Sequence, residues 1–173
     1  MTKEMELYRG GSWDSAYTYL GAHPAPQGYT FRVWAPHARC VALAGDFNGW
    51  QSADMHRDAD GVWSLTAENA AVYDSYKYIV TCADGRTVWK ADPFAFHAQT
   101  RPGSDSKVYD LSGYVWRDEA WQEKCAAEPP VNGPLLIYEV HLGSWRRHED
   151  GTSLSYRELA RELPAYVRSM GYN

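Results

Sequence analysis

Between residues 21 and 113 the chain breaks into short runs of alternating apolar and polar residues, each closed by a turn signal. A period of two suits β-strands with one face buried, and little else. In "YTFRVWAP" (Tyr29 to Pro36), Phe31 and Val33 point one way and Arg32 and Trp34 the other. "CVALAGDF" and "GVWSLTA" read as two further strands, "SYKYIVTCADGRTVWKADP" as a hairpin around Asp84-Gly85, and "SKVYDL" closes the set. Asn48-Gly49 is a turn signal, since both residues tolerate positive φ. The pattern predicts a mainly β fold, a small immunoglobulin-like β-sandwich over residues 21–113.

The flanks read differently. Residues 1–20 are a polar and aromatic lead-in, weakly helical at best, and residues 114–133 are a linker rich in Pro, Gly, Ala and charge. "PLLIYEV" (Pro134 to Val140) is apolar without alternation, the pattern of a strand buried on both faces of a parallel sheet. After a polar loop, Ser155 and Glu158 form a capping box for a helix. Tyr156, Leu159, Leu163 and Met170 follow at helical spacing, with Pro164 expected to kink the helix and Gly171 to end it. One strand and one helix cannot cover a two-sided strand. Residues 134–173 therefore read as the first βα unit of a truncated (β/α)₈ barrel, whose remainder is the expected partner.

Charge and composition exclude several classes. A net charge of −5 disfavours electrostatic binding to nucleic acid or to an anionic membrane. No apolar run is long enough to span a bilayer, and the N-terminus lacks a signal-peptide core. Cys40, Cys82 and Cys125 are few and far apart, which reads as three reduced thiols of a cytoplasmic protein with no metal-ligand spacing. The 8 Trp, 13 Tyr and 4 Phe suit either a core or a sugar-binding surface, because the apolar face of a pyranose stacks on a flat ring.

The stretches "YTFRVWAPHARCVALAGDFNGW", "YKYIVTCADGRTVWKADPFAF" and "RPGSDSKVYDL" resemble the glycogen- and starch-binding sandwich that precedes the barrel in α-amylase-superfamily enzymes. "LLIYEVHLGSWRR" and "SYRELARELPAYVRSMGY" resemble the first strand and helix of that barrel in 1,4-α-glucan (glycogen) branching enzymes. The resemblance implies cleavage of an α-1,4 linkage and transfer of the cut chain to a 6-hydroxyl. The mechanism is retaining, with an aspartate nucleophile and a glutamate acid/base about 5 Å apart, and needs no metal or organic cofactor. Glu139, Glu149 and Asp150 match neither carboxylate, so no catalytic residue is assigned and this chain alone is expected not to catalyse transfer.

The resemblance also implies a glucan site made of Trp50, Lys77, Trp89 and Ser106, with α-1,4-glucan (glycogen or maltooligosaccharides) as partner. Trp50 follows the Asn48-Gly49 turn, where its ring either projects as a stacking platform or packs on its own hairpin. Lys77 is either a donor to sugar hydroxyls or a solvated lysine. A two-residue Asp84-Gly85 turn pairs Trp89 with Val80, away from Lys77. A three-residue loop over Asp84 to Arg86 pairs it with Thr81 and puts it on Lys77's face. Ser106 stands where glucan-binding versions often carry asparagine, and its hydroxyl has a shorter reach. Trp34, Trp63 and Tyr78 are expected in the core or at an interdomain contact, and His141 either shapes a substrate cleft or is satisfied in the barrel wall. The competing functions are a non-catalytic glycogen-binding module, a trehalose-releasing or debranching hydrolase bearing the same module, and a sandwich that only braces the barrel.

Overall fold

The computed structural model describes residues 2–172. The chain divides into two units, Met1–Val115 and Trp116–Asn173.

The first unit holds two antiparallel sheets. One runs β1 (Gly21–Pro24), β2 (Tyr29–Trp34), β6 (Val62–Ala67), β5 (His56–Arg57) in spatial order. The other runs β4 (Ala53–Asp54), β3 (Cys40–Gly45), β7 (Ser75–Thr81), β10 (Ser106–Lys107), β9 (His97–Ala98), and β8 (Thr87–Lys90) also pairs with β7. The alternation in β2 has the expected consequence: Tyr29, Phe31 and Val33 are buried and the residues between them are not. They share one core with Trp63 of the neighbouring strand β6 and with Val41, Leu43, Tyr76 and Tyr78 from the facing sheet. Two layers burying their apolar faces against each other are what stabilises a sandwich of this size.

The lead-in is more structured than the sequence suggested. Lys3–Arg9 forms helix α1, capped by Thr2, whose hydroxyl accepts the Met5 N–H at 3.4 Å. Met5, Leu20 and Val62 make a second small core, ringed by Tyr8, Trp13, Tyr19, Trp34 and Phe94. Seven residues are too few to show a periodic pattern, and the helix is held by this packing rather than by propensity. Trp63 and Tyr78 are buried and Trp34 packs on the second cluster, as expected.

In the second unit, α2 (Glu119–Ala127) occupies the expected linker and buries no residue. A short turn of helix, α3 (Leu142–Trp145), precedes α4 (Tyr156–Ser169). The capping box forms in both directions: Ser155 Oγ accepts the Glu158 N–H at 3.4 Å, and Glu158 Oε2 accepts the Ser155 N–H at 2.7 Å. Gly171 at φ +86° ends the helix, with its own N–H on Arg168 O (3.0 Å) and the Tyr172 N–H on Val167 O (3.2 Å). Pro164 lies inside α4 without ending it.

The strand expected over residues 134–140 is absent. Those residues have no regular structure, and Leu135, Leu136 and Ile137 are 48%, 53% and 80% exposed. A strand exists through its ladder to neighbours, and among the described residues this stretch belongs to neither sheet. Its anchor is Tyr138, whose ring meets Tyr166 and Tyr172 at 6.0 and 5.2 Å and whose hydroxyl accepts the Trp145 indole N–H at 3.1 Å. His141 is exposed, with Nδ1 2.9 Å from Ser144 Oγ. Cys40, Cys82 and Cys125 are free thiols. Among the described residues no helix is long and apolar enough to cross a membrane.

Candidate functional site

The segment from Gly45 to Trp50 is a tight corner in which each residue has a separate task. Gly45 ends β3, where a Cβ would meet Ser75 O at 2.6 Å. Phe47 turns inward and packs on Phe31, ring centroids 5.3 Å apart. Asn48 folds back, its Oδ1 accepting the Gly45 N–H at 3.0 Å and its amide donating to Leu43 O at 3.3 Å. Gly49 and Trp50 both take the left-handed conformation, at φ +60° and +61°. That is ordinary for glycine and unusual for tryptophan. Asp46 compensates: its Oδ1 accepts the Trp50 indole N–H at 2.9 Å and its Oδ2 accepts the Ser75 N–H at 2.7 Å. The Ser75 N–H, with help from the indole N–H and Lys107, holds the Asp46 carboxyl below the usual carboxylate range, although burial opposes it.

The β7–β8 hairpin takes neither register considered from sequence. Thr81 pairs with Thr87, Val80 with Val88 and Ile79 with Trp89. The connection is Ala83 to Gly85, with Gly85 N–H on Cys82 O (3.0 Å), Cys82 N–H on Arg86 O (2.8 Å), and Gly85 at φ +89°. This is a three-residue hairpin loop with glycine at its left-handed third position, shifted by one position from the expected one. The shift preserves the consequence that matters. Trp89 stands opposite Ile79, so it lies on the same face of the sheet as Lys77. It is 49% exposed, and its ring lies 6.3 Å from that of Trp50, the planes inclined by 33°. Beneath them Ala42 and Ala44 are buried on the same face, opposite Ile79 and Lys77.

Lys77 is held by partners and only partly exposed. Its ammonium donates to Ser104 Oγ at 2.9 Å and pairs with Asp105 Oδ1 at 3.0 Å, both side chains about one-fifth exposed.

Ser106 requires correction. It pairs with Tyr76, a core-facing residue one position out of phase with Lys77, and is 2% exposed. Its hydroxyl accepts the Asp92 N–H at 2.8 Å. The residue of β10 on Lys77's face is Lys107, opposite Ser75, whose Nζ reaches Tyr73 O at 3.0 Å. Gly103 is a plain turn glycine, its N–H on Thr100 O at 3.0 Å.

Behind the face sits a buried polar cluster. Asp92 is 6% exposed, and its Oδ2 accepts the hydroxyls of Tyr76 (2.7 Å) and Tyr78 (3.1 Å), while Oδ1 accepts the Phe94 N–H (2.8 Å). Burial pushes the Asp92 carboxyl up despite these donors, and burial beside that carboxylate pushes both phenols well above their ordinary value. The cluster ties the start of the segment after β8 to β7 and β10 inside the sandwich. Asp46, Ser104 and Asp105, which place Trp50 and Lys77, were missed from sequence. The offset of four between Asp46 and Trp50 around a turn was the one available sign.

Residues 19–95 match the family model of carbohydrate-binding module 48, the isoamylase N-terminal domain. The chain is 40% identical over 98% of its length to the 1,4-alpha-glucan branching enzyme of Bacillus subtilis, and 45% identical over 96% of its length to that of Halothermothrix orenii. It spans 28% of each of those proteins. Among solved structures, the pullulanase of an Anoxybacillus species complexed with maltotetraose aligns at TM-score 0.53 and 25% identity, over 68% of this chain and 16% of that one. A Salmonella typhimurium structure assigned as an alpha amylase aligns at TM-score 0.61 and 24% identity, over 90% of this chain and 24% of that one, a likeness of fold alone. Residues 19–95 are thus similar to carbohydrate-binding module 48, and nearly the whole chain is similar to part of the 1,4-alpha-glucan branching enzymes.

Proposed function

We propose that the outer face of the β3–β7–β8 sheet binds α-1,4-glucan, with Trp50 and Trp89 as a stacking platform and Lys77 as a hydroxyl donor. The observation that carries this reading is the Trp50–Trp89 pair, two indoles 6.3 Å apart on one face with an ammonium beside them. Two slightly inclined rings suit consecutive pyranoses of a curved glucan better than a flat one. Affinity is weak, since sugar hydroxyls exchange water bonds for protein bonds at little net gain. Electrophoresis of the purified chain through gels with and without glycogen tests it. Retardation by glycogen that Trp50→Ala and Trp89→Ala each reduce supports the platform; equal mobility of all three removes it.

The larger protein is read as a branching enzyme, which cuts an α-1,4 chain and joins it to a 6-hydroxyl by retaining double displacement. In this reading residues 134–172 open its catalytic barrel, and the exposed Leu135–Ile137 run becomes a strand when a parallel neighbour supplies its ladder. The three free cysteines support a cytoplasmic setting. The chain alone is expected to be inactive, and new α-1,6 linkages formed from amylose by the purified chain would refute that.

A further inference from the structure

Trp50 is not the sole aromatic residue held in a left-handed backbone. Among the described residues, the non-glycine positions with positive φ are Trp50, at +61°, and Tyr73, at +74°. For a bulky residue this conformation is strained and persists only where surrounding structure enforces it. Tyr73 is enforced by its N–H on Val108 O (2.8 Å) and by Lys107 Nζ on its own carbonyl (3.0 Å). Its ring is 56% exposed. It packs edge-on against His97 and Tyr109, with centroids at 5.6 and 5.8 Å, and those two rings stack at 5.4 Å with planes inclined by 33°. His97 Nδ1 is buried and makes no hydrogen bond. A strained exposed phenol over an unsatisfied imidazole nitrogen is not what stability alone would select.

Strand register places this cluster. His97 pairs with Lys107, and Lys107 with Ser75 on β7. Ser75, Lys77 and Ile79 share one face, so His97 and Lys107 lie on the face that carries Trp89, opposite Ile79. The Tyr73 cluster belongs to the Ser75 row of β7, where Asp46 also holds Trp50, and Trp89 belongs to the Ile79 row, four residues away, about 13 Å at ~3.3 Å per residue. Lys77, held by Ser104 and Asp105, lies between.

We infer that Tyr73, backed by His97 and Tyr109, is a second glucan-binding station on the same sheet face, so that one maltooligosaccharide runs from Trp50 and Trp89 past Lys77 to Tyr73. This rests on the platform reading above. The tyrosine ring takes a pyranose face and its hydroxyl a sugar hydroxyl. A disaccharide fills one station, and only a longer chain reaches both.

Calorimetric titration of the 173-residue chain with maltose and with maltoheptaose tests the second station. Tyr73→Gly removes the ring and relieves the left-handed backbone, so the variant keeps its fold, checked by an unchanged or raised melting temperature. Tyr73→Phe keeps the ring. The expected result is that Tyr73→Gly weakens maltoheptaose binding about threefold to tenfold, the size of one aromatic contact, leaves maltose binding unchanged, and is largely rescued in Tyr73→Phe. Trp50→Ala weakens both ligands. If Tyr73→Gly leaves maltoheptaose untouched while Trp50→Ala weakens it, the second station is wrong and the platform stands. If Trp50→Ala also changes neither ligand, the platform reading has failed and the second station with it.

Discussion

The indole N–H of Trp50 donates to Asp46 Oδ1 at 2.9 Å while the other oxygen of that carboxylate accepts the Ser75 N–H at 2.7 Å. One side chain thus fixes the ring to the corner it follows and to the central strand β7. A tryptophan in a left-handed turn would otherwise sample several orientations, and a stacking platform needs one.

Asp46→Ala is expected to lower stability by about 1 kcal/mol, less than is usual for hydrogen bonds to a charged group because Asp46 is exposed. It should also weaken glucan binding without touching Trp89. Asp46→Asn keeps one acceptor and should fall between the two. The pH dependence has a defined sign. The folded carboxyl titrates below its unfolded value, so its contribution is present above the ordinary carboxylate range and is lost as pH falls through the folded value. Thermal melts of wild type and Asp46→Asn from pH 2 to pH 6 check this; equal slopes would contradict it.

The Lys77–Asp105 pair sets the height of the ammonium above the sheet. Lys77→Met is expected to weaken maltoheptaose binding severalfold, as loss of one charged donor. Asp105→Asn should weaken it less and change stability by under about 1 kcal/mol, since the pair is partly solvated. Tighter binding by Asp105→Asn would mean that Asp105 competes with the sugar for Lys77.

Removing Asp92 leaves two buried phenols without their shared acceptor. Asp92→Ala should therefore cost about 1–3 kcal/mol for the Tyr76 hydroxyl and less for that of Tyr78, which also reaches Arg32 O at 3.4 Å. Because burial raises the folded carboxyl above its unfolded value, the Asp92 contribution is complete below the ordinary carboxylate range and declines as pH rises through the raised value. Asp92→Asn removes that decline. Denaturant titrations of wild type and Asp92→Asn at pH 4 and pH 7 should show the variant losing less stability on going up; parallel behaviour would rule the assignment out.

How much of this was legible follows the physics of each element. The alternation of β2 and the Ser155–Glu158 cap are local patterns that formed as read, while the Asn48-Gly49 turn formed with Gly49 and Trp50, not Asn48, in the left-handed conformation. The hairpin loop was misplaced by one position, which moves the partner of Trp89 by two, because Asp84-Gly85 fits several loops, and the choice is made by which residue puts glycine at the left-handed site. Ser106 was named from the resemblance alone, and its burial opposite Tyr76 could not be read from sequence because β10 is two residues long and shows no period. The run over Leu135–Ile137 reads as a buried strand, but burial and ladder are both supplied by neighbours, and the sequence of the run cannot provide them. Asp46 and Asp105 act through other side chains, a relationship visible only once the fold brings the partners together.

That exposure carries its own prediction. Ile137 is 80% exposed, so Ile137→Lys should leave the melting transition of this chain unchanged, within the few tenths of a kcal/mol usual for surface positions. It should also reduce binding of a hydrophobic dye. A drop of several degrees would show that the segment already packs on something in the chain.

The central claim is that glucan meets the outer face carrying Trp50 and Trp89. Each of the four sandwich tryptophans Trp34, Trp50, Trp63 and Trp89 has one indole N–H, and those of Trp34 and Trp63 are committed inside to Asp60 O (3.1 Å) and Ala35 O (3.0 Å). A ¹H–¹⁵N titration of the labelled chain with maltoheptaose reads all four at once. The account predicts progressive, saturable shifts of the Trp50 and Trp89 indole signals with those of Trp34 and Trp63 stationary. Shifts confined to Trp34 or Trp63, or no saturable shift at Trp50 and Trp89 at millimolar ligand, would contradict it.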